Sequence, residues 1–195
     1  MKKYIILAGI IFTSCSTVRV QEQIVQDFIK EKNLKNNPNT SPAYLIEESG
    51  PRAKSLEYYE MAYADKNLPA GKKRIEVLPG NFKSWPIDEN QLSQLKERNK
   101  TGLSEGWNVN DFNSLDIPII NRKDLESEIA RQVLPLTSSG NIISRPIVTA
   151  DGKYALFYYY SFLSMSSIAK KVCLAEKDRN KWIIIAEFYD PNVFH

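Results

Sequence analysis

The chain has 195 residues, of which 43% are hydrophobic and 25% charged, a globular balance that excludes wholesale disorder, a collagen-like repeat and a disulfide knot. Its net charge of +3 includes Lys2 and Lys3 in an apolar leader, and without them the balance falls to about +1. So near-neutral a body implies no nucleic-acid partner, which would call for a broad basic face.

Met1-Lys2-Lys3 is a positive start, and Tyr4 to Phe12 is an apolar run too short to span a hydrocarbon core of ~30 Å. The pattern predicts a signal peptide over residues 1–14. It ends Phe12-Thr13-Ser14-Cys15, and small residues directly before a cysteine resemble the lipobox of bacterial lipoproteins, with Phe12 standing where Leu is usual. The resemblance implies cleavage before Cys15 and a diacylglycerol on its thiol, hence attachment to a bacterial membrane, with the periplasmic side of the outer membrane as the expected location. Cys173 is then left without an intramolecular partner; within Val172-Cys173-Leu174 it reads as a small buried hydrophobe.

Residues 15–195 are expected to form a single α+β domain. Its first element is an amphipathic helix over 18–34, with Ile24, Val25, Phe28 and Ile29 on one side and Glu22, Gln23, Gln26 and Lys30 on the other. Residues 35–43 read as a polar loop with two prolines. Tyr44 to Ile46 and Arg74 to Leu78 have strand character, whereas Leu56 to Tyr63 fits either period. Pro86 to Asn99 is predicted helical, with Asp88 and Gln91 in capping-box spacing and Gly102 beyond its end. Asp116 to Ile120 reads as a short strand, and Lys123 to Leu134 as a third helix carrying Leu125, Ile129 and Val133 at i+4 steps before Pro135.

The C-terminal quarter predicts a four-stranded antiparallel β-meander, from Ile142–Thr149, Tyr154–Leu163, Ile168–Glu176 and Trp182–Tyr189. The first turn contains Asp151-Gly152, the pair favoured in type I′ hairpins, and the last spans Lys177 to Lys181. Tyr154, Leu156, Tyr158, Tyr160 and Phe162 alternate onto one face and Phe157, Tyr159 and Leu163 onto the other, so cover is expected on both faces. The fold class is therefore α+β, a meander packed with about three helices.

The only histidine is His195. That excludes Ser-His-Asp and Cys-His catalysis, HExxH proteases and Cys/His zinc sites, leaving carboxylates, lysine, tyrosine or a lysine-activated serine. S-x-x-K occurs at Ser93–Lys96 and Ser167–Lys170, as often as chance supplies it and without the accompanying motifs of penicillin-binding proteins. Asn108, Asn110, Asp111, Asn113 and Asp116 are rich in oxygen but lack the calcium-loop glycine, and read as turn residues. Glu47-Glu48 and Glu57/Glu60 read as solvated charges, as do Lys72–Arg74 and Lys170–Lys171. No catalytic residue, metal ligand or cofactor is assigned.

Successive hairpins are expected to bring Thr137–Gly140, Ser164–Ser167 and Asp190–Asn192 to one end of the meander with Arg145 beside them. Arg145, Ser164, Ser166, Ser167 and Asp190 thus form a candidate rim for a sugar or carboxylate, and Tyr158 and Tyr160 a second candidate surface. The expected function is a lipid-anchored envelope protein, a non-catalytic binding or structural module with a protein or glycan partner. The alternative is a histidine-independent envelope hydrolase using carboxylates or lysine.

Overall fold

The computed structural model describes residues 4–34, 42–69, 71–79, 82, 84–100, 106–112, 115, 117–163 and 166–190, with the backbone alone for 4–17, 163 and 166–169. Of the expected 35–43 loop, residues 35–41 lie outside them, as does Gly102, while Ala43 is already the start of a strand. Helix α1 runs from Tyr4 to Glu31, a single element that begins before the expected 18 and ends before the expected 34. Its end is set by Asn33, whose φ of 52° turns the chain left-handed. The Leu34 N–H then donates back to the Ile29 carbonyl (3.0 Å) and the Asn33 N–H to that of Lys30 (3.2 Å), satisfying carbonyls the helix would leave open.

Helix α2 spans Arg52–Ala64 and adds a helix to the three expected. It resolves the ambiguous stretch, because Ser55, Leu56, Tyr58, Tyr59 and Ala62 are buried at helical spacing. Helix α3 spans Glu89–Arg98 and carries the expected capping box in full. Asp88 accepts from the Gln91 N–H (2.8 Å) while the Gln91 side chain accepts from the Asp88 N–H (3.1 Å). Helix α4, Arg122–Ala130, stops short of the expected Leu134. Gln132 adopts φ 60° and repeats the left-handed stop, leaving Leu125 and Ile129 buried but Val133 67% exposed.

The strands are β1 (Ala43–Ile46), β2 (Glu76–Leu78), β3 (Ile119–Ile120), β4 (Ser139–Ile143), β5 (Ile147–Val148), β6 (Tyr154–Leu163), β7 (Ser166–Asp178) and β8 (Lys181–Tyr189). They form one mixed eight-stranded sheet in the order β2-β8-β7-β6-β4-β1-β3, with β5 also on β6. A four-stranded meander therefore understates the sheet: β1 adds parallel pairings with both β3 and β4, and β2 adds an edge to β8. The expected strand 142–149 is broken in two. Ile143 faces Tyr159 but Ile147 faces Leu156, so one extra residue bulges at Ser144–Pro146, where proline has no N–H to contribute.

The first turn also differs from the two-residue type I′ form. Gly152 takes positive φ (68°) and Asp151 does not, and the connection closes through the Gly152 N–H donating to the Thr149 carbonyl (2.9 Å). Asp151 accepts from Thr149 Oγ1 (2.6 Å) and the Lys153 N–H (3.0 Å). The last connection is tighter than the expected span: Asp178 pairs with Lys181, leaving Arg179 and Asn180 as the turn.

Both sheet faces are covered, as the alternation in β6 required. On one, Leu156, Tyr158, Val172, Leu174 and Phe188 pack with Leu56 and Tyr59 of α2 and Leu92 and Leu95 of α3, and Phe162 packs with Leu125 and Ile129 of α4. On the other, Phe157, Tyr159, Cys173, Ala175 and Trp182 meet Ile24, Val25, Phe28 and Ile29 of α1 together with Trp107 and Phe112. Phe28 stands edge-on to Phe157 and Tyr159, with ring centroids 5.1 and 4.9 Å away. The amphipathic face of α1 is thus consumed within the fold.

The same helix closes an open strand. β2 pairs with β8 only over Glu187–Tyr189, so among the described residues the first half of β8 has no strand on its outer side. Four helical residues advance about 6 Å and two strand residues about 6.6 Å. Side chains at i+4 steps on α1 therefore keep pace with alternate residues of the strand. Gln23 donates to the Asn180 carbonyl (2.5 Å), Asp27 accepts from the Trp182 N–H (2.9 Å) and Glu31 from the Ile184 N–H (3.2 Å).

Candidate functional site

The expected rim does not assemble. Arg145 lies in the break between β4 and β5, level with Tyr158, whose carbonyl accepts from the Ser144 N–H (2.9 Å). The β6–β7 hairpin closes where Leu163 meets Ser166, roughly 17 Å further along the strand. Asp190 follows Tyr189, which pairs with Lys171, a comparable distance back from Ser166 along β7. Ser164 lies outside the described residues, as do the side chains of Ser166 and Ser167. The physical reason is unequal strand length: β7 outruns β8, and the bulge at Ser144–Pro146 places Arg145 mid-sheet.

Arg145 is instead a buried strut, only 8% exposed. Its guanidinium lies 4.5 Å from the centre of the Trp107 ring and donates to the Gly106 carbonyl (2.9 Å) and to Asp111 (2.8 Å). The tyrosine surface is likewise mostly interior. Tyr158 is buried, and that burial pushes its hydroxyl up to about 12. Tyr160 is half-buried, stacked on Phe162 at 5.7 Å, with Lys170 Nζ 5.5 Å from its ring.

Other sequence candidates resolve into structural contacts. Lys96 of the first S-x-x-K pairs with Glu60 (2.8 Å) across α2 and α3, and Glu57 with Lys54 (2.8 Å). In the oxygen-rich run, Asn108 accepts from the Asn110 N–H (3.0 Å) and Asp111 from the Asn108 N–H (2.8 Å), forming a capped 3-10 turn as expected. Asn113 and Asp116 lie outside the described residues. Cys173 is fully buried, and that burial pushes its thiol well above the ordinary range.

Two arrangements were not legible in the sequence. The first is an ionic knot at the C-terminal end of α1, where Glu187 lies 2.7 Å from both Lys32 and Lys171 and accepts a hydrogen bond from the Tyr189 hydroxyl. Burial pushes the Glu187 carboxyl up, but those three donors outweigh it and hold the group at about 2. Lys171, expected as a solvated charge, is buried here; it lies 5.3 Å from the Tyr159 ring, whose hydroxyl donates to Asn141 (2.9 Å). The members of the knot are spent on one another. Its chemistry is that of a clamp joining α1 to β7 and β8.

The second is a crevice of about 420 Å³ at the carboxyl ends of the parallel strands β1 and β3. Glu47, Glu48, Ser49, Gly106 and Asn121 line it. One wall is the segment Gly106–Trp107, held by the Trp107 N–H donating to the Glu47 carbonyl (2.7 Å), Trp107 Nε1 donating to the Ile143 carbonyl (2.7 Å) and the Arg145 contact to Gly106. Glycine is required at 106, since a Cβ would stand 2.9 Å from the Glu47 carbonyl oxygen. The opposite wall is the start of α4, whose Arg122 N–H donates to Glu48 (3.2 Å) while Asn121 accepts from the Lys123 N–H (2.9 Å). Its size suits a small ligand. Among the described residues its lining side chains are rich in acceptors and include no cation, a chemistry that favours hydroxyl or amine groups over anions. The sequence signal for it was the Glu47-Glu48-Ser49 run after an expected strand.

Among the described residues no group of three or more His, Cys, Asp or Glu could hold a metal ion, and no helix is long and apolar enough to cross a membrane. No protein-family model, curated protein or solved structure matches the chain.

Proposed function

We propose that this protein is a lipid-anchored bacterial envelope protein, attached through Cys15, whose folded part is a non-catalytic binding module held against the membrane on its periplasmic side. The observation that carries the reading is the docking of α1. Gln21, Ile24 and Val25 are already buried, so only about 9 Å of helix separates Cys15 from the folded body. A chain anchored there acts at the membrane surface and not at the end of a long tether.

The binding reading is supported by the way the acids and bases are disposed. Glu187 is engaged by Lys32 and Lys171, Asp65 by Arg74 and Arg145 by Asp111, and the crevice presents hydrogen-bond acceptors at its surface. It favours a hydroxyl-bearing partner such as a glycan. A carboxylate hydrolase would have to use Glu47 and Glu48, of which Glu48 accepts from the Arg122 N–H, so it is the weaker reading.

Metabolic labelling with palmitate tests the anchor: the wild type takes up label and Cys15→Ser does not, whereas equal labelling of the two overturns it. Binding to envelope glycans on an array, lost in Glu47→Ala, tests the crevice. Turnover of those glycans would overturn the non-catalytic assignment.

A further inference from the structure

The direction in which α1 is docked sets which end of the body faces the lipid. Going back along the helix from its C-terminus, the partners on β8 run from Ile184 through Trp182 to Asn180 in the β7–β8 turn. The last of these contacts is made by Gln23, about 12 Å along the helix from Cys15. Helix and turn therefore reach the anchor side together.

Exposed cations gather at that place. Lys177, Arg179 and Lys181 border the turn, and Lys153 joins them because its carbonyl accepts the Lys177 N–H (2.8 Å). Arg19, also exposed, lies one helical turn beyond Cys15. The exposed acids of the same end are Asp151 and Asp178, with Glu22, Asp27 and Glu176 half-buried and Asp27 turned onto the Trp182 N–H. Asp151 is turned onto Thr149 Oγ1 and the Lys153 N–H, and Asp178 stands opposite Lys181 in the ladder. Lys177 lies over the Trp182 ring at 6.0 Å, with its charged tip still at the surface. Among the exposed charges of this end the long, flexible cations thus outnumber the acids by five to two, as suits a phosphate surface.

We infer that Arg19, Lys153, Lys177, Arg179 and Lys181 form a docking surface for anionic phospholipid headgroups, so that the body stands on the membrane with its β7–β8 turn downward. This rests on the anchoring reading for its geometry. The occupant is a lipid surface because the cations sit at the end of the body where the helix leads toward the lipid expected on Cys15. Each net positive charge near an anionic bilayer strengthens the attraction about fivefold, so the excess of three exposed cations over exposed acids is enough to favour one orientation where acyl chains alone leave it free.

The test uses the full chain in vesicles of phosphatidylcholine with or without phosphatidylglycerol, carrying an environment-sensitive fluorophore at Asn180→Cys or, at the far end of β8, Asp190→Cys. With phosphatidylglycerol present, the label at 180 is shielded from an aqueous quencher at least about tenfold more than the label at 190. Reversing Lys153, Lys177, Arg179 and Lys181 to Glu abolishes that difference, while circular dichroism checks the fold of the variant. Equal shielding at the two positions, or a difference that survives the reversal, overturns the inference. The mass of the Cys15 peptide from the same sample reads the anchor separately: an unmodified thiol refutes the anchoring proposal, and the shielding pattern still decides the orientation.

Discussion

Glu187 is the residue on which acid stability turns. Its folded ionisation lies at about 2, below the ordinary 4.5, so its contribution is complete above the ordinary value and is lost as the pH falls from about 4.5 toward 2. Glu187→Gln should flatten the decline of the urea midpoint in that window relative to wild type; an unchanged slope would show the knot to be inert. Asp65, held at about 2 by Arg74, declines alongside it in both proteins, so the difference between the two curves isolates Glu187. The close approach at Gly140 is a second residue-scale constraint. A Cβ there would come within 2.3 Å of the Phe162 ring, so Gly140→Ala is expected to cost about 1–3 kcal/mol in denaturant unfolding.

At the scale of elements, local signals were readable and long-range ones were not. The α3 capping box needs only Asp88 and Gln91, three residues apart, and it formed as read. The end of α4 was misplaced because Pro135 advertised a later stop than the left-handed Gln132 imposed. Ile129→Ala should therefore cost about 2–4 kcal/mol and Val133→Ala less than about 0.5, although both occupied the same apolar stripe on paper; equal losses would contradict the observed helix end. The parallel pairing of β1 with β3 and β4 joins segments far apart in the chain through two or three residue pairs, a register no local pattern encodes. For that reason the Glu47-Glu48-Ser49 run did not by itself reveal the crevice at their ends, while Arg145, expected at a serine rim, is one of its supports. The seam between α1 and β8 is the most testable element contact. Asp27→Ala leaves the Trp182 N–H without its acceptor, with an expected cost of about 1 kcal/mol and faster hydrogen exchange at Trp182 than at Val172.

For the whole molecule, α1 and β8, far apart in the chain, hold one another in place. Gln23, Asp27 and Glu31 meet residues 157, 155 and 153 positions later, and the α1 face buries Phe28 against β6. Phe28→Ala should lower stability by about 3–5 kcal/mol, and a loss under about 1 kcal/mol would mean that α1 is a detachable stalk. Such distant closure also dictates a timetable. A chain made from its N-terminus has α1 ready long before β8 exists, and until residues 180–184 arrive the helix has neither the Trp182 side of its apolar seat nor the strand edge it caps. The seam between α1 and β8 is consequently a late event of folding, closed by a strand that reaches the helix only after β4, β6 and β7 have been made.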